Sequence, residues 1–261
     1  MTPVAPITSR HPAGPANRTP TGLLAALLAV SLALGFDPIS EAAAPAGFVP
    51  LFPSNGIPPS WLVRSWNDVS LPAPTSANWK VSDGVLQGSV PRGTWLLSPS
   101  EYSDFVLEFE ARVGERGRGG VGLRLPLRGN PAAEAFELPI VDPRYFGTHF
   151  TPQPWENNGA LYQAIPPTSD AFKPLEWNRY SIECRGSRIA VTLNGTKVID
   201  ADLTQPDLDT NTSAPTHASP VRGKALADRP LRGRIGFLEV SRGAAKVEIR
   251  DAKIRELPAP R

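Results

Sequence analysis

Residues 104–113 read DFVLEFEARV, and their alternation decides the fold class. Phe105, Leu107, Phe109, Ala111 and Val113 share one face of an extended chain, while Glu108, Glu110 and Arg112 share the other. A period of two describes a strand with one face buried and the other open to solvent or ligand, the habit of antiparallel sheets.

Working outward, the same rhythm recurs. In residues 119–127 (GGVGLRLPL), Val121, Leu123 and Leu125 oppose Arg124; in residues 136–141 (FELPIV), Phe136, Leu138 and Ile140 oppose Glu137. Further strand patterns cover residues 180–184, 188–193, 234–240 and 245–254. Between them lie turn signals: Asp83-Gly84, Arg185-Gly186-Ser187 and Asn194-Gly195. Asp-Gly and Asn-Gly pairs accept the positive φ angles of tight hairpins. Pro139, inside a strand pattern, marks an edge or a bulge because it cannot donate to a ladder. With no sustained helical period after residue 46, the expected fold is all-β, two stacked antiparallel sheets.

Composition agrees and excludes several classes. Thirty Pro and 22 Gly in 261 residues interrupt helices often. Lys plus Arg number 27 against 25 Asp plus Glu, so the net charge of +2 provides no basic face for nucleic acid. The single cysteine, Cys184, excludes an intramolecular disulfide, and its face is shared with Tyr180 and Ile182, which reads as a buried thiol. Residues 23–36 (LLAALLAVSLALGF) form an apolar run too short for the ~20 residues of a membrane span. With Ala44-Pro45-Ala46 after it, residues 1–46 are expected to be an export signal, and residues 47–261 the exported domain, without a transmembrane span. Retention of the run as an uncleaved anchor is the alternative.

The polar faces carry the candidate chemistry. Arg124, Glu137, Glu108, Glu110, Arg112 and Glu183 all oppose apolar residues. If their strands are neighbours, they form one charged surface, either a solvated face of weak ion pairs or a groove for a polar ligand such as a sugar. The Pro-rich stretch 142–176 is expected to be a functional loop; Trp155 and Tyr162 within it, and Trp177 just after, could stack on sugar rings. Residues 204–230, rich in Pro, Ser and Thr, read as a mobile insertion. Glu137 and Asp142 are a candidate acid/base pair, but five residues apart they lie on opposite faces of a regular strand. His149, His217 and Cys184 have no metal-ligand spacing, and no phosphate loop or Gly-x-Ser-x-Gly elbow occurs.

In order, Asn78-Trp79-Lys80-Val81, Gly120-Val121-Gly122-Leu123-Arg124, Phe136-Glu137-Leu138-Pro139-Ile140-Val141-Asp142, Gly159-Ala160-Leu161-Tyr162, Glu176-Trp177-Asn178, Val191-Thr192-Leu193-Asn194-Gly195 and Gly233-Arg234-Ile235-Gly236-Phe237 make a connected series. It resembles the family of 3-keto-disaccharide hydrolases, also described as 3-keto-glucoside lyase/hydratases. The resemblance implies a concanavalin A-like jelly-roll β-sandwich acting on glycosides oxidised at C3. It implies Glu137 or Asp142 as the base at C2, Arg124 as the group polarising the ketone, and Tyr162 as proton donor or sugar contact. Trp155, Trp177, Glu108 and His149 complete the candidate substrate contacts. The chain departs from the family pattern at Pro139, Asn158 and Leu238-Glu239-Val240, where members carry Gln, His and Gly-His-Gly. Two readings therefore stand: turnover of an oxidised glycoside, or a non-catalytic carbohydrate-binding module on the same fold. A glucanase acting on unoxidised β-glucan lacks its Glu-x-Asp-x-x-Glu motif here. No cofactor is assigned; a divalent cation suits the fold class, although no dense carboxylate loop demands one.

Overall fold

The computed structural model describes residues 47–88, 92–205 and 223–258. The expected export segment and most of the 204–230 insertion lie outside the described residues. The described strands are β1 (Val49–Pro50), β2 (Leu62–Ser65), β3 (Lys80–Ser82), β4 (Val85–Gln87), β5 (Thr94–Tyr102), β6 (Phe105–Val113) and β7 (Arg118–Leu125). They continue with β8 (Phe136–Val141), β9 (Asn178–Arg185), β10 (Arg188–Leu193), β11 (Thr196–Asp202), β12 (Gly233–Glu239) and β13 (Val247–Glu256). Helical elements among the described residues are single turns of at most four residues, such as Pro131–Glu134, capped by Asn130, and Pro143–Phe146, capped by Asp142.

Every pairing among the described strands is antiparallel. One sheet runs β11-β10-β9-β6-β13-β4-β3, with β1 added on β13; the other runs β2-β5-β12-β7-β8. This is the expected jelly-roll sandwich. The hairpins form where the turn residues place them. Asp83 and Gly84 have φ of 50° and 74°, Asn194 and Gly195 of 50° and 84°, the left-handed values such turns require.

The alternating residues meet between the sheets. Phe105, Leu107, Phe109, Tyr180 and Ile182 from one layer pack with Val121, Leu123, Phe136, Leu138 and Phe237 from the other. Phe109 and Tyr180 stack with ring centroids 4.9 Å apart. The five-stranded sheet also buries part of its second face: Trp95, Leu97, Leu125, Leu238 and Val240 cluster with Val69.

Two expectations about faces are corrected by the sheet order. Glu108, Glu110, Arg112 and Glu183 lie on β6 and β9, whereas Arg124 and Glu137 lie on β7 and β8 of the other sheet. They form no common surface. Leu125 does not share a face with Val121 and Leu123 either. Gly122 pairs with Gly236 but Leu125 with Arg234, so β7 holds one extra residue, a β-bulge, and Arg124 sits there at φ 55°.

Candidate functional site

The second face of the five-stranded sheet holds a cleft of about 180 Å³, with Glu137, Arg118 and Tyr162 on one wall, Trp66 and Arg92 on the other, and Leu238 and Val240 between them. Its first wall follows from the edge position of β8. Glu137, Pro139 and Val141 direct their side chains to this face, away from the core residues Phe136, Leu138 and Ile140. The loop after β8 folds back along the free edge. The Tyr162 main-chain N–H donates to the Glu137 carbonyl at 2.8 Å. The Asn158 side chain accepts from the Val141 N–H and donates to the Val141 carbonyl, both at 2.8 Å. Pro139 between them has no N–H to satisfy, so the edge proline suits a strand that is closed by a loop rather than a neighbour. This docking brings the Tyr162 ring beside the Glu137 side chain.

Gly120, opposite Pro139 on β7, makes room for the carboxylate: a Cβ there would stand 3.4 Å from Glu137 Cγ and 2.7 Å from the Leu138 carbonyl. Arg118 enters from the start of β7. Its guanidinium carbon lies 5.2 Å from the Tyr162 ring centroid and 5.5 Å from that of Tyr145.

The wall sets unusual proton affinities. Glu137 is only 5% exposed. Burial pushes its carboxyl up to about 7, against the pull of Arg118. Burial opposes the Arg118 charge too, but Tyr162 and Glu137 outweigh it and hold the guanidinium firmly protonated. Burial raises the Tyr162 phenol, with Arg118 hydrogen bonding acting in the other direction. At neutral pH the cleft thus holds a carboxyl poised between its two forms, a permanent cation and a neutral phenol. That set can abstract a proton, stabilise a developing oxyanion and donate a proton.

The other sequence-predicted residues lie elsewhere. Arg124 is fully buried by its bulge and donates to the main-chain carbonyls of Ser103, at 2.6 and 2.9 Å, and Gly186, at 2.7 Å. It joins two chain reversals and does not line the cleft. Asp142 is buried as the cap of the 3-10 turn Pro143–Phe146 and pairs with Arg144 at 2.7 Å. Burial opposes its charge, yet hydrogen bonds from Arg144 and the Arg116 N–H hold its carboxyl below the usual range. Glu137 and Asp142 do not converge. Trp177 is on the far sheet, between Arg112 at 4.7 Å and Arg250 at 4.2 Å from its ring centroid. Glu108 pairs there with Lys253 at 3.3 Å. Trp155 belongs to the 3-10 turn Pro154–Glu156, and His149 is exposed in the same loop; neither lines the cleft.

Of the expected site, Glu137 and Tyr162 come together. Arg118, Tyr145, Trp66 and Arg92 were missed. Arg118 was legible as the residue that faces the same side as Glu137 once the strand is extended back through Gly119 and Gly120. Cys184 is buried, its thiol pushed up to about 12 by burial, and faces no cleft. No cluster of three or more His, Cys, Asp or Glu that could hold a metal ion occurs among the described residues. No helix among the described residues is long and apolar enough to cross a membrane.

Comparison with curated proteins returns no match. Among solved structures, a candidate glycosyl hydrolase from Parabacteroides distasonis ATCC 8503 is 26% identical with a TM-score of 0.62, covering 80% of this chain and 99% of that one. A second candidate glycosyl hydrolase from the same organism is 19% identical with a TM-score of 0.63, covering 81% and 94%. The latter likeness is one of fold. Residues 48–255 match the model of the 3-keto-alpha-glucoside-1,2-lyase-like domain. With the strand order, the edge-docked loop and the Glu137 cleft described, the chain belongs to the 3-keto-alpha-glucoside-1,2-lyase-like domain family.

Proposed function

We propose that the domain cleaves a glycoside oxidised at C3, with Glu137 as the base. The ketone acidifies the C2 proton. Glu137 takes it, and the C–H electron pair enters a C2–C3 enolate whose oxygen faces Arg118. Collapse of the enolate restores the ketone, forms a C1–C2 double bond and breaks the bond from C1 to the leaving oxygen. That oxygen collects the Tyr162 proton. Water then adds at C1, returning a proton to the Tyr162 phenolate, and the proton held by Glu137 passes to C2. The net change is hydrolysis, and each group ends as it began.

The observation that carries this reading is a buried carboxyl with a proton affinity near neutrality facing a permanent cation and a neutral phenol in one cleft. A general base is most effective when its affinity lies near the working pH. Family membership adds support for carbohydrate as the substrate class.

Deuterium uptake at C2 of a 3-keto-glucoside in heavy water tests it. Wild-type protein exchanges C2 and releases the aglycone, with a rate that climbs as pH rises through about 7 and Glu137 ionises. Glu137→Gln loses about 10²–10⁴-fold. Binding without exchange would make the domain a carbohydrate-binding module instead.

A further inference from the structure

The second wall of the cleft has no part in the chemistry above, and its composition differs from the first. Trp66 is 44% exposed although it lines a cleft. Its five-membered ring packs over Gly93, where φ is +93° and a Cβ would come within 2.7 Å of the indole Cδ1. A main-chain ladder fixes the distance from this wall to the other. The Trp66 N–H donates to the Gly93 carbonyl, the Gly93 N–H to the Glu239 carbonyl, and the Val240 N–H to the Arg118 carbonyl. That ladder crosses β2, which Trp66 continues, then β5, β12 and β7, so at about 4.8 Å per strand the Trp66 backbone stands about 14 Å from that of Arg118. One sugar ring over Glu137 leaves the opposite side of the cleft for the group attached at C1.

Arg92 shares that wall. It forms no hydrogen bond or ion pair with any described residue; the nearest carboxylate group by shared lining, Glu239, has its oxygens engaged by the Ser241 N–H at 2.6 Å and the Val247 N–H at 2.8 Å. Other arginines of this domain hold carboxylates at close range, as Arg112 holds Glu248 and Arg144 holds Asp142, which is the contact Arg92 is free to make with a ligand. Among the described residues, Glu137 is the only acid lining the cleft, on the far wall and held largely or half neutral at pH 7 and below. A half-exposed indole beside a guanidinium with no partner among the described residues is a receptor for a ring-shaped group bearing a negative charge.

We infer that the Trp66–Arg92 wall receives the leaving group, and that this group is an anionic ring. The ring stacks on Trp66 and its carboxylate is held by the Arg92 fork. This rests on the proposed chemistry of the cleft: with the C1 oxygen held at Tyr162, the group that oxygen carries extends across the cleft to the opposite wall. The two sources of such a group are a sugar uronate and an aromatic acid.

The test compares isosteric pairs of 3-keto-glucosides: 4-carboxyphenyl against 4-carbamoylphenyl, and glucuronate against glucose as the aglycone. Affinity is measured by calorimetry on Glu137→Gln protein, which binds without turnover. The charged member of at least one pair binds about tenfold tighter, as a charge-assisted pair requires, and the pair that shows it identifies the source. Arg92→Gln, in the same background, brings that ratio to about one, while Trp66→Ala weakens both members together. Equal affinity for charged and neutral members, or a ratio that survives Arg92→Gln, overturns the inference. Retained melting temperatures establish that each variant is folded. C2 exchange by wild-type protein is scored separately: exchange with no charge preference leaves the proposed chemistry standing without this inference, and charge preference with no exchange removes the chemistry.

Discussion

Glu137 is held in the domain against its own solvation. Its carboxyl is raised from 4.5 to about 7, so the folded protein holds that proton more tightly than the unfolded chain. The sign follows: stability from this residue is greatest below pH 4.5 and is lost as pH rises through about 7. The loss amounts to about 3 kcal/mol once ionisation is complete. Glu137→Gln, neutral at all pH, should therefore unfold at a temperature ~5 °C or more above wild type at pH 8, with the gap closing towards pH 4; calorimetric scans across that range check it. A variant more stable and inactive is the mark of a strained functional group. Glu137 could be picked out in the sequence because it faces away from Phe136, Leu138 and Ile140 at strand period and falls within the family-like series. Asp142 looked equivalent in the sequence, but a carboxylate one residue before Pro143 is also a turn cap; its Oδ1 accepts from the Arg144 N–H and its Oδ2 from the Arg144 guanidinium.

At the scale of elements, local signals were readable and pairing was not. Asp83-Gly84 and Asn194-Gly195 specify their hairpins within a few residues. Which strands share a sheet depends on contacts between distant segments, and so Glu108 and Trp177 were assigned to a face they do not occupy. A single bulge had the largest effect. One extra residue in β7 turns Arg124 from the cleft side towards the reversals at Ser103 and Gly186, and no residue type in GGVGLRLPL announces it. Arg124→Met should lower stability by about 3 kcal/mol, since it strands buried carbonyls, while kcat/KM per folded molecule stays within a factor of about three. Arg118→Met should act on turnover instead. Chemical denaturation alongside kinetics on both variants separates the two arginines.

For the molecule as a whole, the sandwich protects its single thiol. Cys184 is fully buried on β9 between the layers, raised to about 12 by burial and hardly ionised at neutral pH. Labelling by a thiol reagent should be negligible in buffer and complete in denaturant, with a denaturant midpoint that coincides with loss of tryptophan fluorescence; early labelling would show that the layers separate before the domain unfolds. The closed edge of β8 has a consequence beyond the cleft. A bare strand edge is a template on which other polypeptides can add, the first step of aggregation and fibril growth. Here the Glu137 carbonyl is taken by Tyr162, Pro139 has no N–H, and both Val141 groups are taken by Asn158. At the far rim of the other sheet, β11 presents Lys197 and Asp200, charges that resist stacking of like chains. The loop that brings Tyr162 to the cleft therefore also keeps this protein from seeding its own precipitation in a crowded solution.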